Sequence, residues 1–301
     1  MRHLPRSKLA KFVREHRGDH RVRNFSCWKL FICQICAQLS GVDSLRDLET
    51  TLRSKIRRLY HLGLDTFSRS TMADASEKRD SEIFENMFNE LVRQVQSMAP
   101  SHRFKFQNPL YSLDSSTITL CLSMFQWAKF RTRKGALKIH TLRDHRGHLP
   151  SAMVITDGNG ADITAARRFH FEPDSILVVD RAYVDYCWLY QLCLQGVWWV
   201  TRFKKGMYFR ILERHTVDRT TGVTSDWRIR VCGSKADSIH TDLRRVWYVD
   251  PETGKACVFF TNILHLSAKE ITDIYKARWD IELFFKWIKQ NLKIKSFFGT
   301  S

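Results

Sequence analysis

Apolar positions through residues 1 to 100 recur three and four apart, the spacing of helices that bury one face. KLFICQICAQLS, SLRDLETTLRSKIRRLYHLG and SEIFENMFNELVRQVQSM carry the pattern most clearly. Ser44, and Asp74 or Ser76, stand where N-caps are expected before those runs. Around MAPSHRFKFQNP the texture changes, which predicts a boundary between an all-helical module over 1–100 and a strand-rich core from residue 105.

From Tyr111 the period shortens. YSLDSSTITLCL, GALKIHTLRDHRG and HLPSAMVITDG read as three successive strands, the last two joined by a short turn at His145 to Gly147. A helix from Asp162 to Phe169, the strand SILVVD, a helix around VDYCWLYQLCLQG and the strand VWWVTRF follow. Three meandering strands and then α-β-α-β predict an α/β fold over 105–203, a mixed sheet flanked by helices on both faces. Residues 204–263 turn β-rich and irregular, with RVWYVDPETGKACVFFTNI as a hairpin closed at Pro251 to Gly254, and read as an insertion. Over 264–301 the chain returns to helix in ITDIYKARWDIELFFKWIKQNL and stops at FFGTS.

Charge adds a partner to this picture. Among 301 residues, Lys and Arg number 49 against 31 Asp and Glu, a formal charge of +18. That excess points to a polyanion, and nucleic acid suits it better than a membrane surface. No run approaches the ~18 apolar residues that a membrane span needs, and MRHLPRSKLAKF lacks a signal-peptide core, so a cytoplasmic protein is expected. Basic residues thicken in the helical module, from Arg2 to Arg23 and again from Arg53 to Arg58, as suits helices lying against phosphates. Of eight cysteines only Cys33 and Cys36 form a CxxC. No second pair follows, so reduced core residues are expected there and zinc is not.

Three acids carry the chemistry. SILVVD is an apolar run ending on Asp180, the way a central strand delivers a side chain to its carboxyl end; an acid there equally serves as a turn cap. Asp114 lies inside the leading strand, where a carboxylate is costly unless paired or metal-bound. In YKARWDIELFFKWIK, with Tyr275 as origin, Arg278, Glu282 and Lys289 fall near about 300°, 340° and 320° at about 100° per residue, one polar stripe on an otherwise apolar helix. An ion-pair ladder would look the same. Convergent carboxylates call for divalent cations, and two Mg²⁺ ions suit in-line phosphoryl transfer. Cations on the stripe would then hold phosphates.

YKARWDIELFFKWIK also matches the Y-x2-R-x3-E-x6-K signature of IS4-family DDE transposases, with Tyr275, Arg278, Glu282 and Lys289 in its four places. LDSST around Asp114 and VVDRAYVDY around Asp180 resemble the first and second acidic motifs of that family, and SLRDLE and SRSTMADASEKRD resemble its helical N-terminal domain. The resemblance implies a ribonuclease-H-like core with a β-rich insertion before the Glu helix. It implies that Asp114, Asp180 and Glu282 hold two Mg²⁺ or Mn²⁺ ions for cleavage at the double-stranded ends of a bacterial insertion sequence and for strand transfer into target DNA. Tyr275, Arg278 and Lys289 would contact the end, and a homodimer would pair two ends, in a protein associated with the nucleoid. Family members usually continue past the FFGTS position with a further helical segment, so a truncated copy, or a fragment of a longer open reading frame, is expected. A catalytically inactive remnant that only occupies transposon ends, and a ribonuclease-H-like nuclease without transposition, are the rival readings.

Weaker signals remain. Lys129, Arg131, Arg133, Lys134, Lys138 and Arg143 follow Trp127 and Phe130 and suggest a groove for a DNA backbone. His140, His145 and His148 cluster in sequence, but strand alternation should separate them, and no histidine metal site is expected. Trp198 and Trp199 are expected in the core.

Overall fold

The computed structural model of the chain describes residues 4–120, 129–131, 134–233 and 238–292. They fall into two compact units, Met1–Met98 with Lys286–Ser301, and Ala99–Phe285.

The first unit is helical: α1 (Arg6–Glu15), α2 (Cys27–Ser40), α3 (Leu45–Leu59), α4 (Arg69–Lys78) and α5 (Ser81–Gln96). Ser44 caps α3 as expected, its hydroxyl accepting from the Asp47 amide at 3.1 Å. Asp74 and Ser76 are not caps, because both lie inside α4. That helix ends where Arg79 turns extended, and Asp80 caps α5 by accepting from the Glu82 amide at 2.9 Å. Leu48, Leu52, Met72 and Cys33 meet in one apolar cluster, and burial pushes the Cys33 thiol up to about 12. Such a thiol is held neutral, as a core residue.

The second unit is a mixed sheet. Its strands are β1 (Leu110–Leu120), β2 (Lys129–Arg131), β3 (Lys134–Asp144), β4 (Leu149–Asp157), β5 (Ile176–Val179), β6 (Trp198–Arg202), β7 (Tyr208–His215), β8 (Val223–Cys232), β9 (Leu243–Val249) and β10 (Ala256–Thr261). They run in the order β2-β3-β1-β5-β6-β10-β9-β8-β7, with β4 also paired to β3. Among the described residues, only β1–β5 and β5–β6 are parallel. Helix α6 (Asp162–Ala166) precedes β5 and α7 (Tyr186–Leu194) follows it, giving the β-β-β-α-β-α-β order of a ribonuclease-H-like core once the short β2 is set aside.

β5 explains why the sheet is covered twice. All four of its side chains are fully buried, Leu177 and Val179 among Trp188, Leu189 and Leu192 of α7, Ile176 and Val178 with Ile271 and Ile274 of α8 (Ala268–Ala277). Side-chain alternation sends successive residues to opposite faces, and each buried aliphatic contributes about 1.5–3 kcal/mol. The segment read as an insertion extends this sheet, since β10 pairs antiparallel with β6. Its β9–β10 hairpin closes where expected, the Gly254 amide donating to the Asp250 carbonyl at 2.8 Å with Gly254 at φ +66°.

The last helical stretch departs from expectation. It breaks at Arg278 into α8 and α9 (Trp279–Asn291). Three-residue hydrogen bonds, Arg278 N–H to the Tyr275 carbonyl and Ile281 N–H to the Arg278 carbonyl, tighten the chain there. The apolar positions of this helix, which the sequence would bury, are not all covered: Trp279, Leu283 and Trp287 are about half exposed.

Candidate active site

The site is built where β1 and β5 run parallel. Leu113 pairs with Val179, so the next step along each strand sets Asp114 and Asp180 side by side at the carboxyl end of β5. Asp180 occupies the N-cap position of the 3₁₀ turn Arg181–Tyr183, yet its side chain makes no capping hydrogen bond. The turn-cap reading therefore does not describe it. Its carboxylate faces Tyr275, whose hydroxyl donates to Oδ1 across a long 3.4 Å.

Arg278, between α8 and α9, joins the other two acids. Its Nη1 donates to Asp114 Oδ2 at 2.9 Å and its Nη2 to Glu282 Oε1 at 2.5 Å. Its Nε is buried without a hydrogen-bond partner, and the Tyr275 ring lies 5.7 Å from the guanidinium carbon. One guanidinium thus stands among three carboxylates. Burial pushes the Asp114 carboxyl up; the Ser115 amide, which donates to Oδ1 at 2.8 Å, and Arg278 pull it down, while Asp180 and Glu282 raise it again. Burial and Asp180 push the Tyr275 phenol up to about 12 against the pull of Arg278, so it remains a proton donor at neutral pH.

The oxygens of the three acids do not all fall within 4.8 Å of one another. The donor set nevertheless fits a hard divalent ion, being carboxylate oxygen throughout and carrying more negative charge than one guanidinium offsets. Glu282 is reachable, with 36% of its side chain exposed.

Tyr275, Arg278 and Glu282 do meet on one side, as the stripe predicted, although the helix is interrupted at Arg278. Tyr275 belongs to α8, Glu282 and Lys289 to α9, and Arg278 lies between them. Of the basic groove, Lys129, Arg131 and Lys134 lie in β2 and β3, and Arg133 falls outside the described residues, as does Trp127. Lys138 and Arg143 do not line an open groove. Lys138 pairs with Asp162 at 2.9 Å, and Arg143 is buried beside Asp280. Trp199 is fully buried in the core, and Trp198 donates its indole N–H to Asp174.

Two features were not foreseen. Next to Asp114, Ser115 Oγ donates to Asp162 Oδ1 at 2.7 Å, and the Tyr183 hydroxyl is buried without a partner. Asp162 was visible only as a helix start. A cavity of about 340 Å³ also opens beside Arg278, lined by Tyr275, Trp279, Phe259, Arg202, Lys255 and Lys276. Its residues come from three separate stretches, and nothing in their local spacing announces it.

Known proteins resemble this chain over most of its length. Residues 105–300 match the transposase DDE domain, and residues 1–65 match a domain of unknown function (DUF4372). A Sinorhizobium fredii protein provisionally named transposase y4zB is 30% identical over 76% of this chain and 64% of its own length. A Geobacillus stearothermophilus protein named as a probable transposase for insertion sequence element IS5377 is 26% identical over 79% of this chain and 63% of its own. The chain thus spans a little under two thirds of these relatives. With its three acids on β1, after β5 and on α9, and with most of the second unit matched, the chain belongs to the transposase DDE domain family.

Proposed function

We propose that this chain cuts DNA at the ends of a mobile element and transfers the freed strands to target DNA. Asp114, Asp180 and Glu282 would hold two Mg²⁺ or Mn²⁺ ions, which when bound activate the attacking oxygen and stabilise the leaving one. The observation that supports this most is the guanidinium bridge from Asp114 to Glu282, with Asp180 alongside through Tyr275. Arg278 links Asp114 to Glu282, and its single charge does not offset those two carboxylates together with Asp180.

The surrounding residues have definable tasks. Arg278 limits repulsion among the acids, and its remaining Nη hydrogens would be offered to a phosphate. Tyr275 steadies Asp180 by hydrogen bonding. Trp279, 59% exposed at the mouth of the cavity, offers a ring on which an unpaired base can stack. Lys289 on α9, Lys129 and Arg131 of β2, Lys134 of β3, and Arg133 from the sequence between them, would track the backbone of double-stranded DNA, and two copies would pair two ends.

The test is metal-dependent nicking of a duplex that carries the element's own end, comparing the chain with its Glu282→Gln form. Nicking in Mg²⁺ or Mn²⁺ that vanishes in the variant, with end binding retained, is expected. Binding without nicking in both forms would reduce the chain to an end-binding protein.

A further inference from the structure

The second unit also contains a smaller cavity of about 210 Å³, walled by His102, Arg103, Phe104, His145, His148 and Asp280 among others. Nitrogens of His145 and His148 and an oxygen of Asp280 all lie within 4.8 Å of one another. Nδ1 of His145 is 3.9 Å and Nδ1 of His148 3.7 Å from Asp280 Oδ2. These separations exceed hydrogen bonds and are a few tenths of an ångström longer than the ligand spacing of about 3.3–3.4 Å around a tetrahedral ion with bonds of about 2.0–2.1 Å, so the side chains would close slightly on an ion.

The hydrogen bonds behind the imidazoles favour the same use. His145 Nε2 lies 2.7 Å from Ser112 Oγ, and donating its proton there leaves Nδ1 as a bare lone pair facing Asp280. His102 Nε2 lies 2.9 Å from the Asn108 carbonyl, which can only accept. Its Nδ1 is therefore also a lone pair, and it is buried with no partner. An imidazole whose rear N–H is fixed by an acceptor is the arrangement that orients metal-binding histidines. Burial, reinforced by Arg143, holds His145 down at about 3, so the ring stays neutral.

We propose that His145, His148 and Asp280 bind a borderline transition metal of the Zn²⁺ class, with His102 lining the open side of the site. Imidazole nitrogen selects such an ion over Mg²⁺. Arg143 opposes it, but its Nη1 stands 3.7 Å from Asp280 Oδ2 without forming a hydrogen bond, so the carboxylate is not committed to it. Asp280 lies in the first turn of α9, two residues before Glu282, while His145 and His148 belong to the turn between β3 and β4. The ion would tie the base of the Glu282 helix to the sheet that carries Asp114. This role is structural and does not rest on the DNA-cleaving reading.

Co²⁺ titration of the tag-free full chain, followed by visible absorption, tests the proposal. About one Co²⁺ per chain with the strong bands of a tetrahedral site is expected, displaced by Zn²⁺ and not by Mg²⁺. His148 is 62% exposed, so His148→Ala should fold, and its Co²⁺ affinity should fall by at least about tenfold. The bands should survive in an Asp114→Asn, Glu282→Gln double variant, which disables the acid site. Absent bands in the folded chain, or unchanged affinity in both His148→Ala and Asp280→Asn, would overturn the assignment. So would bands that disappear only in the double variant, since the ion would then sit at the acids.

Discussion

Two arginines of the second unit meet carboxylates in opposite ways. Arg244 faces Asp226 one to one, Nε to Oδ1 at 2.8 Å and Nη2 to Oδ2 at 2.6 Å, and gives Nη1 to the Leu266 carbonyl. Both side chains are less than a tenth exposed. That is a closed, balanced pair. Arg278 divides its donors between Asp114 and Glu282, leaves Nε unpaired, and has Asp180 as a third acid nearby. A pair that satisfies itself specifies structure, whereas a cation outnumbered by acids marks a place where further positive charge is wanted.

The comparison can be broken at either end. The largest effect is expected at the open site, where Asp114→Asn, Asp180→Asn or Glu282→Gln should each drop DNA cleavage to background while end binding persists. Activity surviving in one of them would remove that residue from the site. At the closed site, Asp226→Asn should cost about 3–5 kcal/mol of stability by urea unfolding, because it strands a buried guanidinium. Replacing Asp226 and Arg244 together by apolar residues should recover most of that loss.

Arg278→Met sharpens the contrast. With the competing cation gone, Mn²⁺ affinity should tighten by roughly tenfold, the scale set by removing one charge a few ångströms away, although turnover falls. Weaker Mn²⁺ binding would instead make Arg278 an organiser of the acids. The smallest effect concerns pH. Asp114 is pushed up in the folded chain, so between the ordinary carboxylate range and its raised value the native state binds more protons than the unfolded one. Stability should decline as pH rises through that window. Asp114→Asn should remove this slope and raise the unfolding midpoint at neutral pH.

Much of the site was legible because strand chemistry is local. SILVVD ends its apolar run on Asp180, and SLDSST sets Asp114 in the neighbouring strand. The break at Arg278 was not legible, since YKARWDIELFFKWIK contains neither Pro nor Gly and its wheel closes on one stripe. The histidine cavity escaped for another reason. Strand alternation was applied to His145 and His148, but both follow the end of β3, and left-handed backbone at Gly147 and His148, φ +61° and +57°, brings their rings together. His140 alone obeys the strand, paired across to Thr156 at 3.0 Å. Lys138 and Arg143 were misread because their partners, Asp162 and Asp280, lie far along the chain.

The central claim is that the three acids form one cation site and that Asp226 does not. Mn²⁺ binding followed by electron paramagnetic resonance tests it directly, on the folded chain and on its Glu282→Gln and Asp180→Asn variants. Binding that weakens in both variants is the predicted result. Equal binding in all three would contradict the account, leaving Asp114, Asp180 and Glu282 as an ion-pair cluster around Arg278.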